Sequence, residues 1–403
     1  MTGPLEGISV IDMGFWVAGP SVAGLLADWG ADVIKIEPPT GDPLRGVFAA
    51  AAASRKWDTS GRNPPFELDN RGKRSIAVDL HAEEGRRIAI SLIEKADVLV
   101  TNLRPQARER LALSYDDVKE ANPRLIYCEV TGYGSEGAER NRAGYDVGAF
   151  WSRAGVAATL TPEGQALPLQ PGAYGDHVVG QSAAGAVCAA LVARARTGQG
   201  QRIGVSLMRT GIFTMGWDTS IALQGIRIRP PDRANLPNPL VNCYQASDGG
   251  WLWLLLVEAD RHWPNFCHAI GRDDLTEDPR FVDIGIRRKN AAELIKDLDA
   301  VFATRTRDEW GAIFDRESVW WAPVQTLNEV IKDPVAHAAG AFIDVPGPDG
   351  PVKMVASPAD FYGTPAQPRG LAPEIGQHTE EMLLELGYDW EQITALKERS
   401  VIL

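Results

Sequence analysis

From residue 8 the chain alternates short apolar runs with stretches in which apolar residues recur at helical spacing. "ISVIDMG" is followed by "SVAGLLADWG" and then by "ADVIKIE". The cycle resumes with "RSIAVDL", the amphipathic "AEEGRRIAISLIEKA" and "DVLVTNL", then a helical stretch to Asn122 and the run "RLIYCEVTGYG". Short apolar strands separated by helices predict an α/β fold with a parallel sheet covered on both faces. Each helix has the length of a right-handed crossover. A polar, Pro-rich stretch, "RPPDRANLPNPL", interrupts the pattern near residue 230 and reads as a linker. Beyond it, "VNCYQASDGGWLWLLLV" predicts a hairpin around Asp248-Gly249, and "IDVPGPDGPVKMV" predicts another. Thr306 and Glu309 have the spacing of a capping box. The tail "HTEEMLLELGYDWEQITALKERSVIL" reads as helical.

Composition bounds the function. A chain of 403 residues is too long for one compact core, so two domains are expected. The net charge of −12 argues against nucleic acid and against an anionic membrane as partners, because both need a basic face. No apolar run reaches the ~18–20 residues of a membrane span, and "MTGPLEGISVIDMG" does not read as a secretory signal. Four scattered cysteines without a C-x-x-C pair suggest reduced core thiols, and a cytoplasmic location is expected.

Several motifs offer chemistry. The first strand–helix turn holds Gly14 and Gly19 at phosphate-loop spacing but lacks the following Lys, so triphosphate hydrolysis is not expected. Its backbone N–H groups at a helix start would still suit an anion. "GYGSEG" matches G-x-G-x-x-G, but no apolar helix follows, so it reads as a loop. Glu37 at the end of the second run leaves a dehydrogenase as a rival. The six histidines (His81, His177, His262, His268, His337, His378) show no metal-ligand spacing, and no metal is expected. There is no G-x-S-x-G elbow.

In "PGAYGDHVVG" an Asp stands among glycines ahead of an Ala-rich helical run. Asp176 as a helix cap would be worth ~1 kcal/mol. With an ordinary pKa near ~4 it would be ionised at neutral pH and could act as a nucleophile without a partner base. The residues alone leave these readings tied.

The chain resembles the class III CoA-transferases, a family that also includes carnitine-dehydratase-type proteins and acyl-CoA racemases. The resemblance runs nearly end to end. It is carried by "PLEGISVIDM", "AGPSVAGLLADWGADVIKIEPPTGDPLRG", "NRGKRSIAVDL", "AGYDVGAF", "YGDHVVG", "TGQGQRIGVSL", "DGGWLWL" and "APEIGQHTEEMLLELG", in that order. It implies a Rossmann-like parallel-sheet large domain (1–225, completed by 331–403), a smaller α+β domain (226–330) and an interlocked homodimer. It implies acyl-CoA and a small carboxylic acid as substrates, with no permanently bound cofactor. Asp176 falls on the family's catalytic aspartate, which forms a mixed anhydride and then an aspartyl-CoA thioester. Trp16, Ala18, Pro38, Val78, His81, Asn102, Leu103, Arg110 and Tyr145 fall where similar proteins hold CoA. Arg110 suits a CoA phosphate.

Departures narrow the expectation. Racemase members carry Gly-His-Asp where this chain has Gly144-Tyr145-Asp146. Val17 stands where oxalate-using members carry Gln. A racemase, an epimerase or an intramolecular CoA isomerase on the same fold remains an alternative, as does a non-catalytic CoA-binding protein.

Overall fold

Neighbouring residues of the central strands face opposite cores, as the two-residue period of a strand requires. Val10 joins an apolar cluster with Val22, Leu26 and Val100 on one side of the sheet. Ile11 joins another with Ile36, Leu92 and Leu99 on the other. The structure is a computed structural model and describes residues 3–56 and 61–403. Its main sheet comprises β1 (Ser9–Met13), β2 (Asp32–Glu37), β3 (Arg74–Ala77), β4 (Val98–Thr101), β5 (Ile126–Thr131) and β6 (Gln201–Ser206), in the order β3-β2-β1-β4-β5-β6. Every pairing is parallel. This is a mixed α/β fold with the strand order of doubly wound dinucleotide-type sheets. β1 to β5 fall on the five apolar runs. β6 follows a polar stretch and is exposed over much of its length.

Helix α1 (Ala18–Asp28) links β1 to β2. Helices α2 (Pro43–Arg55) and α3 (Pro64–Asn70) lie between β2 and β3, and α4 (Glu83–Lys95) between β3 and β4. Helices α5 (Pro105–Leu111) and α6 (Tyr115–Val118) precede β5. After β5 come a π-helix (Val147–Arg153), the short α7 (Val156–Leu160) and the long α8 (Tyr174–Thr197). Residues Val179, Ala183, Ala184 and Val187 of α8 enter the same core as Val22 and Leu26 of α1. The two helices meet closely at Gly180, where a Cβ would lie 2.2 Å from the Ser21 hydroxyl oxygen. The expectation that nothing in the chain reaches a membrane span needs correction for α8. By length and composition it is long and apolar enough to cross a membrane. Its small residues made the run look less continuous than it is, and its apolar stripe lines the core.

The chain divides into two units. One comprises Met1–Ala158, Pro168–Ile228 and Gly340–Leu403. In it the tail helix Thr379–Glu385 packs at β3, and the Ser75 hydroxyl accepts the Gly376 amide at 2.9 Å. The other comprises Thr159–Leu167 and Arg229–Ala339. It contains the antiparallel strands β7 (Cys243–Gln245), β8 (Trp251–Leu254) and β9 (Trp321–Val324), so the hairpin around Asp248-Gly249 is present. Leu252, Phe266, Phe302, Trp310 and Phe314 are buried in its core. The Thr306–Glu309 capping box starts the helix Arg307–Arg316.

Candidate active site

In open α/β sheets, ligands bind beyond the carboxyl ends of the strands where the strand order reverses. Here that point lies between β1 and β4, and a pocket of about 500 Å³ opens there. Phe15, Trp16 and Ala18 line it after β1, Asn102, Leu103 and Arg104 after β4, and Val130, Thr131 and Gly132 at the end of β5. Pro38, Arg140, Arg142, Gly144, Tyr145, Asp176 and Leu207 complete much of the wall.

Buried charges pin the β1–α1 turn. The Asp12 carboxylate accepts the Gly14 N–H, the Asn102 side chain accepts from Phe15 N–H, and Asp42 accepts from Trp16 N–H. Asn102 also donates to the Phe15 carbonyl at 2.7 Å. Lys35, fully buried, donates to the Gly14 carbonyl and pairs with Asp42, both at 2.9 Å. Lys73 donates to Asp12, to the Pro20 carbonyl and to Asn70. Burial would push the Asp12 carboxyl up, but Lys73 and Lys35 outweigh it and hold it below the usual carboxylate range. The amides of Gly14, Phe15 and Trp16 are thus donated to protein side chains, and any anion-binding role of the turn falls to the start of α1, where no side chain caps the helix. Trp16 holds φ at +64°, a left-handed conformation that costs a non-glycine residue ~1–3 kcal/mol. The buried network fixes that conformation and sets the Trp16 ring edge-on to Tyr145, at 5.9 Å.

Asp176 is the third residue of α8 and the one acidic side chain among the pocket's lining residues. The cap reading is not what the structure shows. Helix α8 starts at Tyr174, the preceding Ala173 has φ +57°, and no side chain of α8 caps that start. Asp146 serves the helix start instead, accepting the Gly175 N–H at 3.2 Å. The expectation of an ordinary, ionised Asp176 also needs correction. Burial, reinforced by the negative Asp146, pushes its carboxyl up to about 8, with His177 acting against the rise. At neutral pH the free group is therefore mostly protonated. The His177 Nε2 meets Oδ1 of the buried Asp69 at 3.2 Å.

Of the residues expected from the family resemblance, Trp16, Ala18, Pro38, Asn102, Leu103, Tyr145 and Asp176 come together around the pocket. Val78, His81 and Arg110 lie outside its lining. Val78 is buried after β3 and bridges to Ile402. His81 is exposed, and the Arg110 Nε donates to the Gln106 carbonyl on the outer face of α5. Sequence reasoning missed the pocket's three arginines. Arg140 pairs with Glu109 and Arg142 with Glu139, whereas Arg104 has no carboxylate partner among the described residues. Its signal was the position two residues after Asn102, at the switch point. Asp69 and Asp146 were also missed, since only the fold brings them to Asp176.

The sequence matches CoA-transferase family III over residues 5–379. It is 33% identical over 402 residues to the (R)-2-hydroxy-4-methylpentanoate CoA-transferase of Clostridioides difficile, covering 99% of both chains. It is 31% identical to the cinnamoyl-CoA:phenyllactate CoA-transferase of Clostridium sporogenes, covering 98% of this chain and 97% of that one. Among solved structures, a CaiB/BaiF family protein from Brucella suis superposes with a TM-score of 0.82 at 30% identity, covering 96% of this chain and 100% of the other.

Proposed function

The chain belongs to CoA-transferase family III, and from that premise we propose that it moves CoA from an acyl-CoA to a carboxylic acid by covalent catalysis at Asp176. The observation that carries the reading is the position of Asp176. It is the acidic side chain of a pocket at the sheet's switch point, its carboxyl takes no hydrogen bond among the described residues, and three arginines share the pocket with it.

An ionised Asp176 oxygen attacks the thioester carbonyl carbon. The C–S bond breaks, and the CoA thiolate leaves an aspartyl–acyl mixed anhydride. The thiolate attacks the aspartyl carbonyl, releasing the first acid and leaving an aspartyl-CoA thioester. The acceptor carboxylate attacks that thioester, and the freed thiolate then attacks the acceptor's acyl carbon. Acyl-CoA forms and Asp176 is restored. No proton is consumed, and one difficult exchange becomes a set of easier steps. Arg104, Arg140 and Arg142 supply cations for CoA phosphates, for which guanidinium is well suited. Trp16, Ala18, Pro38, Asn102, Leu103 and Tyr145 line the pocket and would hold the CoA-bearing substrate.

Phe15, Trp16, Val130 and Leu207 favour an apolar or aromatic acyl group. The relatives named for 2-hydroxy-4-methylpentanoate and for phenyllactate carry acids of that kind. The large exposed side chains Phe213, Trp217 and Leu223 fit a chain that buries them in a homodimer. Asp176→Ala tests the reading. It is expected to abolish transfer with every acyl-CoA the native protein uses, and near-native transfer would overturn the assignment.

A further inference from the structure

The attack just described needs Asp176 as an anion, and most of its surroundings oppose that. Asp146 faces it from the start of the π-helix, and Asp69 bears on it from α3. From α1 comes only the Ser21 hydroxyl, which reaches the Asp176 backbone carbonyl at 3.4 Å and does not meet the carboxyl group. Across the pocket stand Arg104, Arg140 and Arg142, two of them paired with glutamates. The nearest remaining cation is the next residue, His177. Its partly exposed ring meets Asp69, which is 3% exposed and has buried Lys73, Lys35 and Asp12 behind it.

We propose that His177, anchored by Asp69, is a fixed counter-charge for Asp176, which makes His177 a positioning residue for CoA transfer. The inference rests on the reading of Asp176 as nucleophile. Adjacent residues on a helix do not face each other, so His177 acts through space and not by hydrogen bonding to Asp176. Asp69 supplies what makes this possible, because it anchors the imidazole at Nε2 and favours its protonated form. Burial pulls the His177 imidazole down, but the hydrogen bond and charge of Asp69 outweigh it and hold the ring above its usual value. The positive end of α8 acts in the same direction on an acid in its first turn. His177 gives up no proton during the reaction. The negative charge passes from the Asp176 oxygen to the thiolate sulfur and back, with the imidazolium beside it throughout.

The test uses the full chain and a pH profile of kcat/KM for acyl transfer. His177→Gln keeps a donor for Asp69 but carries no charge. Its acid limb is expected to move up by about 0.5–1 pH unit, so that transfer near pH 6.5 falls about three- to tenfold while the deficit closes as pH rises. KM for the acyl-CoA should stay near the native value. His177→Lys restores a cation within reach of Asp69 and is expected to return the limb toward its native position, a rescue that a packing role would not give. An unmoved limb in folded His177→Gln, or an equal loss at every pH, overturns the proposal. Should His177→Gln not fold, a native-like His177→Lys limb supports it and a raised one overturns it. Failure of the underlying reading looks different, because Asp176→Ala would then retain transfer.

Discussion

The Asp146 carboxylate accepts the Gly175 amide at 3.2 Å, and so serves the helix start beside Asp176 while leaving the Asp176 carboxyl free. The same placement sets a negative charge against Asp176 and helps lift its carboxyl to about 8. Asp146→Asn keeps an acceptor for Gly175 and removes the charge. The acid limb of kcat/KM, which reports the free enzyme, is expected to move from near pH 8 toward lower pH. A limb that stays in place would show that Asp146 does not act on Asp176.

Stability should follow the same group. Asp176 is raised in the folded chain from an ordinary value of 3.8, so its acid form favours folding. The contribution is full below that value and is lost as pH climbs through about 8. Asp176→Asn is therefore expected to melt higher than the native protein at alkaline pH, by on the order of 1–3 kcal/mol near pH 9. The gain should shrink toward pH 4. Equal melting at both ends of that range would contradict the burial of the charge.

Lys35 is fully buried between Asp42, Asp12 and the Gly14 carbonyl. Lys35→Met leaves Asp42 with an uncompensated buried charge. A loss of about 3–5 kcal/mol is expected in a denaturant titration. Because Asp42 also holds the Trp16 amide, the variant should weaken acyl-CoA binding at temperatures where it is still folded. A change below about 1 kcal/mol would mean that the network does not hold the turn.

The two arginines of α5 and its approach separate two readings of the CoA site. Arg104 lines the pocket and Arg110 does not. Arg104→Ala is expected to raise KM for acyl-CoA about tenfold and to reduce its salt dependence, as loss of one charge-assisted contact implies. Arg110→Ala should change KM less than about threefold. The reverse order would place the phosphates on the outer face of α5.

Much of this was legible in the sequence. The five apolar runs became β1 to β5 because strands buried on both faces carry uninterrupted apolar residues. Thr306 and Glu309 announced a helix start through local chemistry, which needs no tertiary context. The site was legible only in part. Asn102 and Asp176 lie in motifs that could be read, but the ionisation of Asp176 could not, since it depends on burial and on Asp146, Asp69 and His177, brought together by the fold from separate segments. The glycine turn was legible only in part for the same reason, because the amides of Gly14, Phe15 and Trp16 looked free until Asp12, Asn102 and Asp42 were placed beside them.

The central claim is that Asp176 forms covalent intermediates with the transferred groups. Its most direct measurement is peptide mapping by mass spectrometry after turnover with an acyl-CoA in hydroxylamine, or after borohydride reduction. A hydroxamate or a reduced side chain is expected at Asp176, dependent on acyl-CoA and absent from Asp176→Ala. An adduct at another residue, or continuing transfer with no adduct at Asp176, would contradict it.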